Sequence, residues 1–201
     1  MLQPSLDPVR DHIAGDAFAP LELVQYGDLQ CPSCADIYPF IKQLQDMMGD
    51  QLKYVFRHFP QPQLHTYALD AAIACEMAGL QSRFWHMHDM IFENQQRLCR
   101  TSFLNFAREI DLDTDEFTNT QNHRKMSRKV ISDYESGIRS GVNATPTFFI
   151  NGLRYNGTND IEGLLTACRF KLLQIVEEKI STSFLRTRYS DPALIRIFPV
   201  A

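Results

Sequence analysis

The stretch Gly27-Asp28-Leu29-Gln30-Cys31-Pro32-Ser33-Cys34 decides how this chain is read. Upstream, Leu21-Glu22-Leu23-Val24-Gln25-Tyr26 is apolar and β-prone, and Gly27 closes the run. Downstream, Ala35-Asp36-Ile37-Tyr38 opens a helical pattern that continues to about Gly49. Cys31 is thereby placed at or beside a helix N-terminus, where unpaired backbone N–H groups and the positive end of the helix dipole favour a thiolate over a thiol. Cys34 follows one turn later and faces inward. Two sulfurs so spaced can bridge, so the expected chemistry is a dithiol that cycles with a disulfide. Cys31 attacks, a mixed disulfide forms, and Cys34 resolves it.

Two other readings use the same residues. A C-x-x-C pair is half of a zinc site, and two cysteines can simply be core. Zinc needs two further ligands, yet a second C-x-x-C is absent, and Cys75, Cys99 and the His86/His88 pair stand apart on predicted helices. No metal and no other cofactor is expected.

The 201 residues, 44% of them hydrophobic, suffice to bury a core without structural disulfides. No apolar run approaches the roughly 18 to 20 residues of a membrane span. With 20 basic against 24 acidic residues, the mild negative balance disfavours a nucleic-acid partner, which asks for clustered Lys and Arg. Residues 1–8 show neither a basic nor an apolar leader region, and five cysteines leave at least one thiol unpaired. Both features point to a cytoplasmic location, with a periplasmic or extracytoplasmic one as the alternative if a signal peptide has been removed.

Taken in order, residues 1–20 read as an extended arm broken by Pro4, Pro8, Gly15 and Pro20. Strand Leu21 to Tyr26, a helix kinked at Pro39, and strand Leu52 to Phe59 form a βαβ unit with parallel strands. From 61 to 140 only helices are expected: around Tyr67–Ala78, Phe84–Phe92, Phe103–Ile110 and Thr118–Ile138. Cys75, Trp85, Phe92 and Phe106 read as core, His86 and His88 as lying on different helix faces, and the basic run His123-Arg124-Lys125 with Arg128 and Lys129 as a solvated face. Thr147–Ile150, Asn151-Gly152 and Leu153–Tyr155 read as a hairpin, because a type I′ turn needs positive φ at both centres. Asn159-Asp160 caps a helix from Ile161 to about Ile180, and 181–201 is an unassigned C-terminal extension.

The order of these pieces, with Cys31-Pro32-Ser33-Cys34, Phe56-Arg57-His58-Phe59-Pro60 and Gly141-Val142 through Thr145-Pro146-Thr147-Phe148-Phe149, resembles the DsbA-like branch of the thioredoxin-fold superfamily over about 19–170. The resemblance implies an α/β thioredoxin-like fold, residues 21–60 and 141–180, interrupted by a helical insertion at about 61–140. It implies thiol-disulfide exchange with protein or peptide thiols and disulfides, and an unidentified redox partner. Cys31 and Cys34 are the implied catalytic pair, and Pro32 and Ser33 the dipeptide between them. Thr145 and Pro146 are the implied cis-proline loop, whose backbone meets an extended substrate. Two departures stand out. Gln25 occupies a position that carries a buried acid in many relatives, which removes the usual proton acceptor near Cys34. Ser33 stands where strongly oxidising relatives often have histidine, which implies less thiolate stabilisation and a less oxidising disulfide, suited to reduction or isomerisation.

A non-catalytic binding module or thiol-based redox sensor is the competing class, with Cys99 and Cys168 as candidate regulatory thiols. Cys75, Cys99 and Cys168 fall in separate predicted helices and are expected outside any intrachain disulfide. Thiol counting on the denatured oxidised protein is expected to find those three groups free; a count of one would reveal a structural bridge.

Overall fold

The computed structural model describes residues 1–190. β1 (Ile13–Gly15), β2 (Leu21–Gly27), β3 (Leu52–His58), β4 (Thr147–Ile150) and β5 (Leu153–Arg154) form one sheet in the order β1-β3-β2-β4-β5. β2 is central, parallel to β3 from Leu21↔Leu52 to Gly27↔His58 and antiparallel to β4 from Leu23↔Ile150 to Tyr26↔Thr147. Its apolar run reflects burial on both faces. Leu21 and Leu23 join Tyr54, Phe56, Phe148 and Ile150 in one core, while Val24 and Tyr26 join Val55, Phe149 and Val142 in another.

Helix α1 (Pro32–Met48) covers the first face through Cys34, Ile37, Ile41, Leu44 and Met48, a stripe at helical spacing. Pro39 lies on its exposed side, so the helix runs through. α2 (Ala68–Gly79), α3 (Phe84–Glu93), α4 (Ser102–Glu109), α5 (Thr114–Phe117) and α6 (Thr120–Arg139) follow β3, and α7 (Ile161–Ser190) returns to pack on α1 and β2. α6 packs against the second core, and a Cβ on Gly137 would lie 2.6 Å from the Phe59 ring, so only glycine permits that approach.

Several expectations are corrected here. The arm is not merely extended: Ile13–Gly15 pairs antiparallel with β3, a strand too short to show alternation in sequence. The helix expected over Thr118–Ile138 is α6, and the one-turn helix α5 before it was not expected; Asp113 and Asn119 each cap a separate start by accepting from N–H groups two and three residues on. Cys99 lies in the loop before α4, not on a helix. α7 passes Ile180 to Ser190 because neither Gly nor Pro interrupts 164–191. The first part of the expected extension is thus helix, and its remainder, 191–201, lies outside the described residues. The hairpin turn is as read, with φ of 46° at Asn151 and 78° at Gly152.

Lys129 departs most from its reading as part of a solvated face. Its ammonium donates to Asp133 at 2.7 Å and Glu76 at 3.3 Å, and Glu76 also meets His12 and His58. Three of these ligand-type side chains, His58, Glu76 and Asp133, lie within 4.8 Å of one another, and Lys129 supplies the cation they surround.

The arm is fastened by Arg57, which is fully buried. Its guanidinium donates to both Asp11 oxygens at 2.9 and 2.7 Å, to the carbonyls of Pro4 and Ser5, and to the Tyr26 hydroxyl. Burial pulls the Asp11 carboxyl up, but the hydrogen bonds and charge of Arg57 outweigh it and hold Asp11 below the usual carboxylate range. A carboxylate depressed on folding contributes stability that is full above its unfolded pKa, about 3.9, and is lost as pH falls through the folded value. Asp11→Ala leaves Arg57 buried without its counter-ion, so urea unfolding near neutral pH is expected to show a loss of about 3 to 5 kcal/mol. A loss under about 1 kcal/mol, the range of exposed pairs, would show that the pair does not fasten the arm.

Candidate active site

Cys31 is the N-cap of α1, in extended backbone, and its side chain makes no capping bond to the helix. Pro32 fills the first helical position, where its missing N–H costs nothing. The first turn holds no acid, so the positive end of the helix is left for sulfur. Cys31 is 7% exposed and Cys34 fully buried beneath it, while Pro32 and Ser33 are exposed.

The two thiols differ sharply in acidity. The Cys34 S–H lowers the Cys31 thiol most; the Thr145 side chain and the backbone N–H groups of Cys34 and Ser33 add to it, and together they outweigh burial to bring the thiol to about 5. Cys34 is pushed well above its ordinary value by burial first, then by its hydrogen bond to Cys31 and the charge there. Residue 33 thus contributes its backbone rather than its hydroxyl. Gln25, in place of an acid, accepts a hydrogen bond from the buried Tyr54 hydroxyl at 2.7 Å. No carboxylate therefore stands at that position.

Thr145 and Pro146 come from the loop before β4, and their peptide bond is cis, as expected of that loop. The Thr145 carbonyl lies 3.6 Å from Cys31 Sγ and accepts from it when sulfur is protonated. Pro146 is buried. The structure therefore brings together all six residues singled out in sequence.

Four residues that sequence reading passed over complete the site. Asp28, 1% exposed, accepts from the Gln30 N–H at 2.8 Å, the Gln61 N–H at 2.9 Å and His65 Nδ1 at 2.8 Å. Gln30 accepts from the Tyr67 N–H at the start of α2. Gln61 donates to the Thr145 hydroxyl at 3.0 Å, and Gln95 donates to the carbonyls of both Leu29 and Cys31 at 3.0 Å. Asp28 lay inside the deciding stretch, but two of its three partners, Gln61 and His65, are more than 30 residues away in sequence. Of the remaining cysteines, Cys75 and Cys168 are buried, and burial pushes Cys168 up to about 12. Cys99 is exposed, and the Ser102 and Thr101 hydroxyls lower it to about 7.

Against known proteins, the family model described as Thioredoxin matches residues 8–168. The chain belongs to the thioredoxin family. Within this family its fold is DsbA-like: alpha-DsbA2 from Wolbachia pipientis, a thiol-disulfide exchange protein, superposes with TM-score 0.72 at 22% identity, over 81% of this chain and 87% of that one. Oxidised BdbD from Bacillus subtilis gives 0.72 at 20%, over 83% and 95%. In sequence the chain is 39% identical over 166 residues to the Na(+)/H(+) antiporter NhaA 1 of Salinispora arenicola, covering 83% of this chain and 25% of that protein. The chain thus spans about a quarter of the length of the curated relatives it matches. No helix among the described residues is long and apolar enough to cross a membrane.

The expected cytoplasmic location does not stand. The DsbA-like structural neighbours are periplasmic or extracytoplasmic, and nothing supports a cytoplasmic location. The odd cysteine count is a weak guide to compartment, because two of the three thiols outside the C-x-x-C, Cys75 and Cys168, are shielded by burial and need no reducing compartment to stay reduced.

Alkylation of the reduced protein is expected to label Cys31 at a rate that rises with pH, reaches half its plateau near pH 5 and is flat at neutral pH, with Cys34 unlabelled. A midpoint near an ordinary thiol's, about 8.5, would show that the helix start does not stabilise the thiolate.

Proposed function

We propose that this thioredoxin-family domain is a thiol-disulfide oxidoreductase acting on protein or peptide thiols and disulfides, with Cys31 as nucleophile and Cys34 as resolving thiol. The observation that carries the reading is the divergence of two neighbouring thiols. The outer one is drawn down by donors at a helix start and the inner one driven up by burial. At neutral pH Cys31 is a thiolate and Cys34 a protonated reserve. In the reducing direction, the Cys31 thiolate attacks a substrate disulfide and one substrate sulfur leaves as thiolate. Cys34 then loses its proton, attacks Cys31 Sγ, and the second substrate sulfur departs. One S–S bond is gained and one lost, and two electrons pass from the dithiol to the substrate.

The reverse sequence oxidises a substrate dithiol, and the electrostatics favour it. Stabilising the Cys31 thiolate stabilises the reduced protein, which makes its disulfide a better electron acceptor. The Ser33 hydroxyl is not among the donors to that sulfur, which come from Cys34, Thr145 and the backbone, and this accords with a weaker oxidant than a histidine at that position would give.

Thr145 and Pro146 form the substrate-facing edge, where an extended segment can pair with backbone beside the mixed disulfide. In this reading residues 21–60 and 141–180 make the thioredoxin-like body, 61–140 the inserted helical subdomain, 1–20 the arm and 181–201 the extension.

The exposed, acidified Cys99 gives the sensor reading its one support. Insulin reduction with a thiol donor separates the two, because a sensor reacts once and an oxidoreductase turns over. Cys31→Ser is expected to reduce turnover to background, and Cys34→Ser to accumulate substrate mixed disulfides on Cys31. Turnover that survives Cys31→Ser but is lost in Cys99→Ser would overturn the assignment.

A further inference from the structure

The Thr145 hydroxyl has one hydrogen to give, and its direction depends on what else the oxygen binds. Gln61 Nε2 donates into that oxygen at 3.0 Å, which uses a lone pair and leaves the hydrogen free. An amide N–H cannot accept it, so the hydrogen must turn elsewhere. Thr145 lies against the nucleophile, its own carbonyl 3.6 Å from Cys31 Sγ. The Thr145 side chain is among the groups that draw down both Cys31 and Cys34.

Gln61 itself is held from both sides. Its N–H donates to the buried carboxylate of Asp28 at 2.9 Å, and its carbonyl accepts from the N–H groups of Leu64 and His65, each at 2.9 Å. Pro60 precedes it, so φ is fixed just before the residue. The side chain is therefore launched from rigid backbone across to the loop before β4.

We infer that Gln61 is a positioning residue for the dithiol: by donating to the Thr145 oxygen it directs the hydroxyl hydrogen at the Cys31 thiolate. The inference rests on the thiol-disulfide reading above and assigns a role to a residue outside the C-x-x-C and proline loops. Gln61 touches neither sulfur and acts only through Thr145. The titratable groups of the surrounding loops are Cys34 of α1, Asp28 before it and His65 before α2, and the last two pair with each other.

The test is a double-mutant cycle read by the pH profile of Cys31 alkylation in the full chain. Gln61→Leu removes the donor at similar size, and Gln61→Met repeats the loss with an unbranched chain in case leucine disturbs packing. Either is expected to raise the alkylation midpoint by about half to one pH unit, the worth of one ordinary hydrogen bond. Thr145→Val removes the hydroxyl and is expected to raise the midpoint by at least as much. In the Thr145→Val background the Gln61 substitutions are expected to leave the midpoint unmoved. A shift of equal size in both backgrounds would show that Gln61 acts without the hydroxyl and overturn the inference, as would no shift from Gln61→Leu and Gln61→Met alone. Alkylation needs no protein substrate, so wild-type protein that fails to turn over insulin would remove the functional reading and leave this result standing.

Discussion

The first turn of α1 aims backbone N–H groups at Cys31 with no side-chain cap to quench them, and the site is built around that deficit. An aspartate or serine at the N-cap would have quenched it. A cysteine there leaves the donors facing a sulfur that becomes a better acceptor only by losing its proton. The geometry thus converts an ordinary structural need of helices into acidity. The second sulfur enters because Cys34, on the stripe that α1 buries, sits where the same turn meets the core. One helix start therefore gives two opposite environments, and the difference between them drives exchange.

That helix start is held from outside by neutral donors and one buried acid. Asp28 ties its own loop to Gln61 and His65, Gln30 ties it to the start of α2, and Gln95 grips the Cys31 carbonyl. Three of the pins are glutamines. An amide can fix a carbonyl or hydroxyl beside the sulfur without placing a full charge there, whereas lysine or glutamate would shift the thiol by its own field. The strong charges are gathered instead around Arg57, Glu76, Asp133 and Lys129, which join the arm, β3, α2 and α6.

The sequence yields those parts whose signal is local. The β2–α1 junction, the Asn151-Gly152 turn and the burial of Cys75 and Phe106 each follow from neighbours within a turn or a strand. β1 was illegible because three residues paired at an edge carry no period. α5 was illegible because its four residues are too short to show a helical period. Lys129 read as solvated because its partners, Glu76 and Asp133, include one on another helix 53 residues away. The same limit hid Gln61 and Gln95, whose partners are in register only after the chain has folded.

All of these pins except Asp28 and Gln30 come from chain that follows β3, and Gln61, His65, Tyr67 and Gln95 are contributed before α4 begins. The helical segment is therefore a wall of the site as well as an addition to the sheet. A β2–α1–β3 unit alone would present the same Cys31-Pro32-Ser33-Cys34 at the same helix start, yet its Cys31 carbonyl and Asp28 carboxylate would turn to water. Water can satisfy those groups, but it cannot fix their direction. What the helical segment adds is orientation: the Cys31 backbone is gripped from one side by Gln95 and the Thr145 loop from the other by Gln61, with the sulfur between them. The acidity of Cys31 is in this sense a property of the junction between sheet and helices, although both cysteines belong to one turn.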